Sequence, residues 1–99
     1  MPMAARNLDP ILTGHPCDVT STINIPASKV YIENQPAAVT GTPIAIHTIL
    51  SGSSCVNHLA TTGAGSLKVR IVGLPANRVG DPADLGIIIG GSTKVIIGG

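Results

Sequence analysis

Three copies of one turn constrain the fold of this chain more than any other feature. "MAARNLDP" (residues 3–10) opens the chain, "NQPAAVTGTP" (34–43) sits in its middle and "GLPANRVGDP" (73–82) follows near its end. "KVYIENQPAAVTGTP" (29–43) lies over "KVRIVGLPANRVGDP" (68–82) with a shift of 39 residues, and seven of the fifteen positions are identical. "GSLKVRIVG" (65–73) lies over "GSTKVIIGG" (91–99) with six of nine identical, and "MAARNLDP" over "PANRVGDP" (75–82) with four of eight. Each unit reads as a Lys-Val-x-Ile strand, a short turn, a Pro-Ala turn, an Asp-Pro or Thr-Pro pair and then a variable segment. Alternation in a strand turns Val30/Ile32, Val69/Ile71 and Val95/Ile97 inward, with Lys29, Lys68 and Lys94 outward.

Closure about a pseudo-threefold axis would bury three such small apolar faces together. The last copy stops at "KVIIGG", where a Pro-Ala-Ala-Arg turn should follow, and the chain opens with "MPMAAR". The N-terminus is therefore expected to complete the third unit, with the two termini adjacent. "GIII" and "KVII" are expected to pair as a hairpin turning through Gly90, Gly91 and Ser92. One domain over residues 1–99 is the expectation for so short a chain.

Composition agrees with an all-β reading. The chain holds 12 Gly and 8 Pro but a single aromatic, Tyr31, so turns are many and the core must be filled by Ile, Val, Leu and Ala. Net charge is +1 and only 11% of residues are charged, which argues against a nucleic-acid partner, since phosphate binding needs a basic stripe. No apolar run is long enough to span a membrane, and the N-terminus carries no signal-peptide core. Synthesis in a reducing cytosol is therefore expected, where thiols and metal ligands are commoner than disulfides.

The chemistry-bearing side chains are confined. All three histidines and both cysteines fall in the variable segments after Pro10 and Pro43: His15, Cys17, His47, Cys55 and His58. Pseudo-threefold folding would bring these segments to one end. His15-x-Cys17 offers two donors, Cys55-x-x-His58 makes a turn-sized chelate and His47 is the third imidazole, a set suited to tetrahedral Zn²⁺. Against this stands a Cys17–Cys55 disulfide, with the histidines as ordinary structural residues. Asp9 and Asp81 sit in equivalent Asp-Pro turns and read as turn residues, with Arg6 and Arg78 bonding turn carbonyls. A Cys55–His58 nucleophile pair can be drawn, yet a closed threefold core leaves no room for a substrate cleft, and no enzyme activity is expected.

"MAAR", "QPAAV" and "LPANRVGDP" resemble the Pro-Ala-Ala-Arg repeats of the PAAR family. "TGHPC" resembles that family's first loop, and "GSTKVIIGG" its closing strand. The resemblance covers essentially the whole chain. It implies a small all-β cone that caps the blunt end of a trimeric β-helical spike, one copy per trimer, in a contractile injection machine: a type VI secretion spike, a phage tail baseplate or a related extracellular particle. Such a tip is made in the cytoplasm, meets the target membrane transiently and carries a metal near its sharp end. Carried over, His15, His47 and His58 are ligands of a structural zinc ion, or of iron. The third loop, "GDPADLGIIIGG", has Leu85 where the family's thiol stands. Cys17 is the expected fourth ligand because it lies in the family-like His-x-Cys element, with Cys55 the alternative thiol. The closed site of a structural ion is expected. The competing functions are a small soluble metal-binding or redox module working through Cys55 and His58, and a toxin-carrying adaptor.

Overall fold

The computed structural model describes residues 2–25 and 29–98; residues 1, 26–28 and 99 of the expected domain lie outside it. The fold is all-β, with no helix among the described residues. Among the described residues ten short strands form five antiparallel hairpins. They are β1 (Pro10–Leu12) with β2 (Thr20–Thr22), β3 (Tyr31–Ile32) with β4 (Gln35–Pro36), and β5 (His47–Ser51) with β6 (Ser54–His58). The last two are β7 (Arg70–Ile71) with β8 (Leu74–Pro75), and β9 (Pro82–Ala83) with β10 (Gly86–Ile87). The molecule measures 42 × 24 × 22 Å along its principal axes.

The repeats close on one another in a ring. The Ala5 amide donates to the Asn77 carbonyl, the Asn77 amide to the Ala38 carbonyl and the Ala38 amide back to the Ala5 carbonyl, each at 3.0 Å. These three residues occupy the same place in the three Pro-Ala turns. Around them Ala4 bridges Arg78, Ala37 bridges Arg6 and Ala76 bridges Val39, so every unit pairs with both others. Small side chains fill most of this close approach: Ala4, Ala5, Ala37, Ala38 and Ala76 are all buried, and the buried Asn77 fits by donating its side-chain amide to the Gly63 carbonyl at 3.2 Å.

Each turn is closed by its own side chains. The Asp9 carboxylate accepts from the Arg6 backbone amide at 2.7 Å and from the guanidinium at 3.0 and 3.1 Å. Asp81 does the same for Arg78 at 2.7, 2.9 and 3.2 Å. In the middle copy, Thr42 Oγ1 takes the carboxylate's part, accepting from the Val39 amide at 3.0 Å and donating to the Val39 carbonyl at 2.7 Å. The arginines therefore bond carboxylates rather than the turn carbonyls expected from the sequence, because a charged acceptor lies three residues on in the same turn.

Two apolar layers lie on either side of the alanine ring. One holds Ile11, Ile23, Ile44, Ala83 and Ile88 with Ala5 and Ala38; the other holds Ile32 and Ile97 with Ala4, Ala37 and Ala76. In the first, Ile11 bridges Ile88, Ile44 bridges Ile23 and Ala83 bridges Thr62, again cyclically. Full burial of one isoleucine contributes about 1.5–3 kcal/mol, which is how a chain without Phe or Trp obtains a core. Val69, Ile71 and Val95 pack against the second layer, whereas Val30 is exposed. The Val30, Val69 and Val95 carbonyls nonetheless accept equivalently, from the amides of Ala37, Ala76 and Ala4. Lys29, Lys68 and Lys94 are exposed.

The expected hairpin between "GIII" and "KVII" does not form. β10 pairs with β9, Ile88 bridges Ile11, and Ile96 bridges Met3. The Ile97 amide donates to the Pro2 carbonyl at 2.9 Å and the Ala4 amide to the Val95 carbonyl at 2.9 Å. The closing segment thus pairs with the opening one, and cyclic pairing between units overrides the local turn. Gly90 and Gly91 serve close approach instead: a Cβ on either would lie 2.6 Å from Pro10 or from the Ala4 carbonyl oxygen.

Candidate metal centre

The variable segments leave the ring from equivalent points. Ile11, Ile44 and Ala83 each follow the proline of a turn, and each anchors its loop in the same apolar layer. The first loop brings His15, the second His47 and the third Asp84. The second loop is the longest and returns as a hairpin, so β5 and β6 place His47 and His58 directly opposite each other in register.

Two glycines allow the first and third loops to touch. A Cβ on Gly14, whose φ is +81°, would lie 2.5 Å from the Leu85 carbonyl carbon, and one on Gly86 would strike the Leu12 carbonyl oxygen. Asp84 itself sits at φ 55°, in the β9–β10 turn, a left-handed position that Asp tolerates better than most residues. That backbone turn aims the carboxylate at the three imidazoles.

Nε2 of His15 lies 2.6 Å from Asp84 Oδ2, Nε2 of His47 2.8 Å from the same oxygen, and Nε2 of His58 3.3 Å from Oδ1. The ring centroids are 5.1–5.3 Å apart, and the four ligand atoms lie within 4.8 Å of one another. Burial pushes the Asp84 carboxyl up, but hydrogen bonds from His15, His47 and His58, with the charge of His15, outweigh it and hold the group below its usual range.

The donor set fits a cation. His47 Nδ1 lies 2.9 Å from the Ala45 carbonyl, which can only accept, so Nδ1 carries the proton. A ring carrying only that proton would turn the Nε2 lone pair toward a carboxylate oxygen. Two acceptors at that distance repel unless a proton or a metal ion stands between them. Tetrahedral ligation at about 2.0–2.1 Å places neighbouring ligand atoms about 3.3 Å apart, so a small outward movement of His15 and His47 would admit an ion. The cluster can therefore hold a metal, with Nε2 of His15, His47 and His58 and one Asp84 oxygen as ligands. The Ala45 carbonyl would orient His47 from behind, as such outer partners commonly do.

The thiols are elsewhere. Cys17 and Cys55 form a disulfide, their Cα atoms 6.1 Å apart, which is within the ordinary range for such a bond. Cys17 is thus not the fourth ligand, and Cys55 does not replace it: the sulfur that would bind a metal as thiolate is used in the covalent bond. The disulfide fastens the first loop to the hairpin. Cys17 bridges Ile49, and the Asp18 carboxylate accepts from the Thr48 amide at 2.7 Å and its hydroxyl at 2.9 Å. Asp84 supplies the fourth ligand atom in place of the thiol that the resemblance puts at Leu85. The signal was present, since Asp84 is the one ligand-type side chain in "PADLG", the segment that the repeat places beside His15 and His47.

The site is also not closed. A hollow of about 350 Å³ opens beside it, lined by His15, His58 and Asp84 together with Ile49, Leu50 and Leu85. A scan of protein-family models finds no match to the chain, and no curated protein matches it.

Proposed function

We propose that this protein is a single-chain threefold cap with a metal-stapled end. More particularly, we propose a PAAR-like tip that completes and sharpens the trimeric β-helical spike of a contractile injection machine. The observation that carries the reading is the cyclic ring at Ala5, Ala38 and Asn77, in which one chain presents three nearly equivalent faces. A trimeric β-helix ends in three equivalent strand edges with unpaired backbone groups, and such edges are sticky unless covered. One monomer with internal threefold character can meet all three at once. The three units expose Tyr31, Val72 with Leu74, and Ile96, apolar side chains suited to a lasting contact of this kind.

The opposite end would be the leading one. Its ion would tie together loops from all three units at a place where the core is thin. We propose zinc there, since three imidazoles and a carboxylate suit it, with iron another metal that such donors accept. The role is structural, with no reaction assigned. The test is co-expression with a trimeric spike protein, which should yield one copy of this chain per three of the spike. Three copies per trimer, or a stable free homotrimer of this chain, would overturn the proposal.

A further inference from the structure

The four candidate ligands are not equally covered. The His47 side chain is only 2% exposed, whereas that of His58 is 31% exposed. The hollow beside the cluster is lined by His15, His58 and Asp84 but not by His47. An ion held by all four would therefore have His47 behind it and the hollow in front, on the face bounded by the other three. Such an ion could expand from four ligands to five, and the hollow is the side from which a fifth could arrive.

The chemistry of the hollow limits what could enter. A divalent ion with one carboxylate ligand retains a net charge of +1, so an anionic donor is favoured. The remaining walls are Ile49, Leu50 and Leu85, which offer no hydrogen bond from their side chains and favour an apolar body. At about 350 Å³ the space falls at the small end of ligand sites. We infer that the metal-loaded protein binds a small monoanion with a short apolar tail, its charged donor on the ion opposite His47 and its tail against Leu50 and Leu85. This inference rests on the metal reading above and gives the site a ligand as well as a structural role.

Cobalt(II) makes both steps visible. The protein is stripped with a chelator and reloaded with Co²⁺, whose visible bands report uptake and coordination number. Azide, acetate, butyrate and hexanoate are then titrated in turn. Each should produce a saturable fall in band intensity as a fifth ligand joins. Affinity should rise from acetate to butyrate, by up to about fourfold for each methylene buried. Leu50→Asp, at an exposed position on the rim, should retain the cobalt bands and weaken every anion at least tenfold. Bands that appear but ignore all four anions would overturn this inference alone. So would equal affinity for acetate, butyrate and hexanoate together with an unaffected Leu50→Asp variant. Failure to take up cobalt would overturn the metal reading and this inference with it.

Discussion

Replacing Cys17 and Cys55 together by serine would measure how strongly the far end of the molecule depends on its covalent tie. The disulfide joins residues 38 apart in sequence. Closing a loop of that length removes about 13 cal/mol/K from the unfolded chain, or about 4 kcal/mol at 25 °C. For a domain of this size each kcal/mol moves the melting temperature by about 4–8 °C, so a fall of at least about 16 °C is expected. The folded state should survive the change, because the first loop keeps its Thr48–Asp18 hydrogen bonds and the Thr13 hydroxyl still donates to the Asp18 carbonyl at 2.6 Å. Urea and thermal unfolding of the double variant and the parent should be compared with metal stripped, which separates the disulfide from the ion. Metal affinity should then be measured on both. His15 hangs on the loop that the disulfide fastens, and its buried Nδ1 has no hydrogen-bond partner, so affinity should fall about tenfold. A stripped double variant within about 1 kcal/mol of the parent would refute the loop-entropy reasoning.

Val72→Asn should stabilise the protein by about 1 kcal/mol in urea unfolding: Val72 is a β-branched residue at φ 52°, exposed, and followed by Gly73 at φ 79°, a two-residue hairpin turn that prefers Asn-Gly. Gly14→Ala should lower metal content more than it lowers secondary structure by circular dichroism, because its Cβ would drive the first loop away from Leu85 and carry His15 with it. Thr48 hydrogen bonds, from the backbone amide first and the hydroxyl second, hold the Asp18 carboxyl below its usual value. Its contribution is therefore present above the unfolded-state pKa and lost as pH falls through the lower folded value; Asp18→Asn should flatten that acid limb in a urea-midpoint series from pH 2 to 6.

The ring was legible in the sequence because it rests on identity between copies. Small residues at equivalent places and Asp-Pro or Thr-Pro pairs at fixed offsets survive in all three units, and each has one physical task. The pairing of strands was less legible. "GIII" and "KVII" look like hairpin partners when read along the chain, yet their partners are Pro82–Ala83, Ile11 and Met3, chosen by closure of the ring. The three histidines could be brought together from the repeat alone. The fourth group was fainter: Asp84 is the one ligand-type side chain in its segment, but a lone Asp near a turn reads as turn chemistry until its left-handed backbone is seen to aim it at three imidazoles. In the sequence a disulfide and a metal site are rivals for the same cysteines, whereas the structure holds the disulfide beside a cluster able to bind an ion. Both join the first loop to the β5–β6 hairpin, the cluster adds the third loop through Asp84, and the two do not compete for the same atoms.

Symmetry is kept where three units must match and abandoned at the cluster that could hold an ion. The hydrogen-bond ring, the bridges and the apolar layers all repeat three times, with Thr42 standing in for an aspartate in the middle copy. Beyond Ile11, Ile44 and Ala83 the loops differ in length and chemistry: one histidine from the first, two from the second and a carboxylate from the third. A three-fold site would offer an ion three or six equivalent ligands, whereas four-coordinate binding requires unequal contributions. A single chain can provide these unequal loops while keeping an equal base, which a homotrimer of short chains cannot do. The two ends should therefore respond separately to mutation. His47→Ala should abolish metal uptake and lower stability while leaving the proposed ratio of one copy per spike trimer unchanged. Lysine in place of both Leu74 and Ile96 should weaken capture by the spike while leaving metal content at its parental level. Loss of spike binding in His47→Ala, with its fold otherwise intact by circular dichroism, would show that the two ends are coupled and that this division between them is wrong.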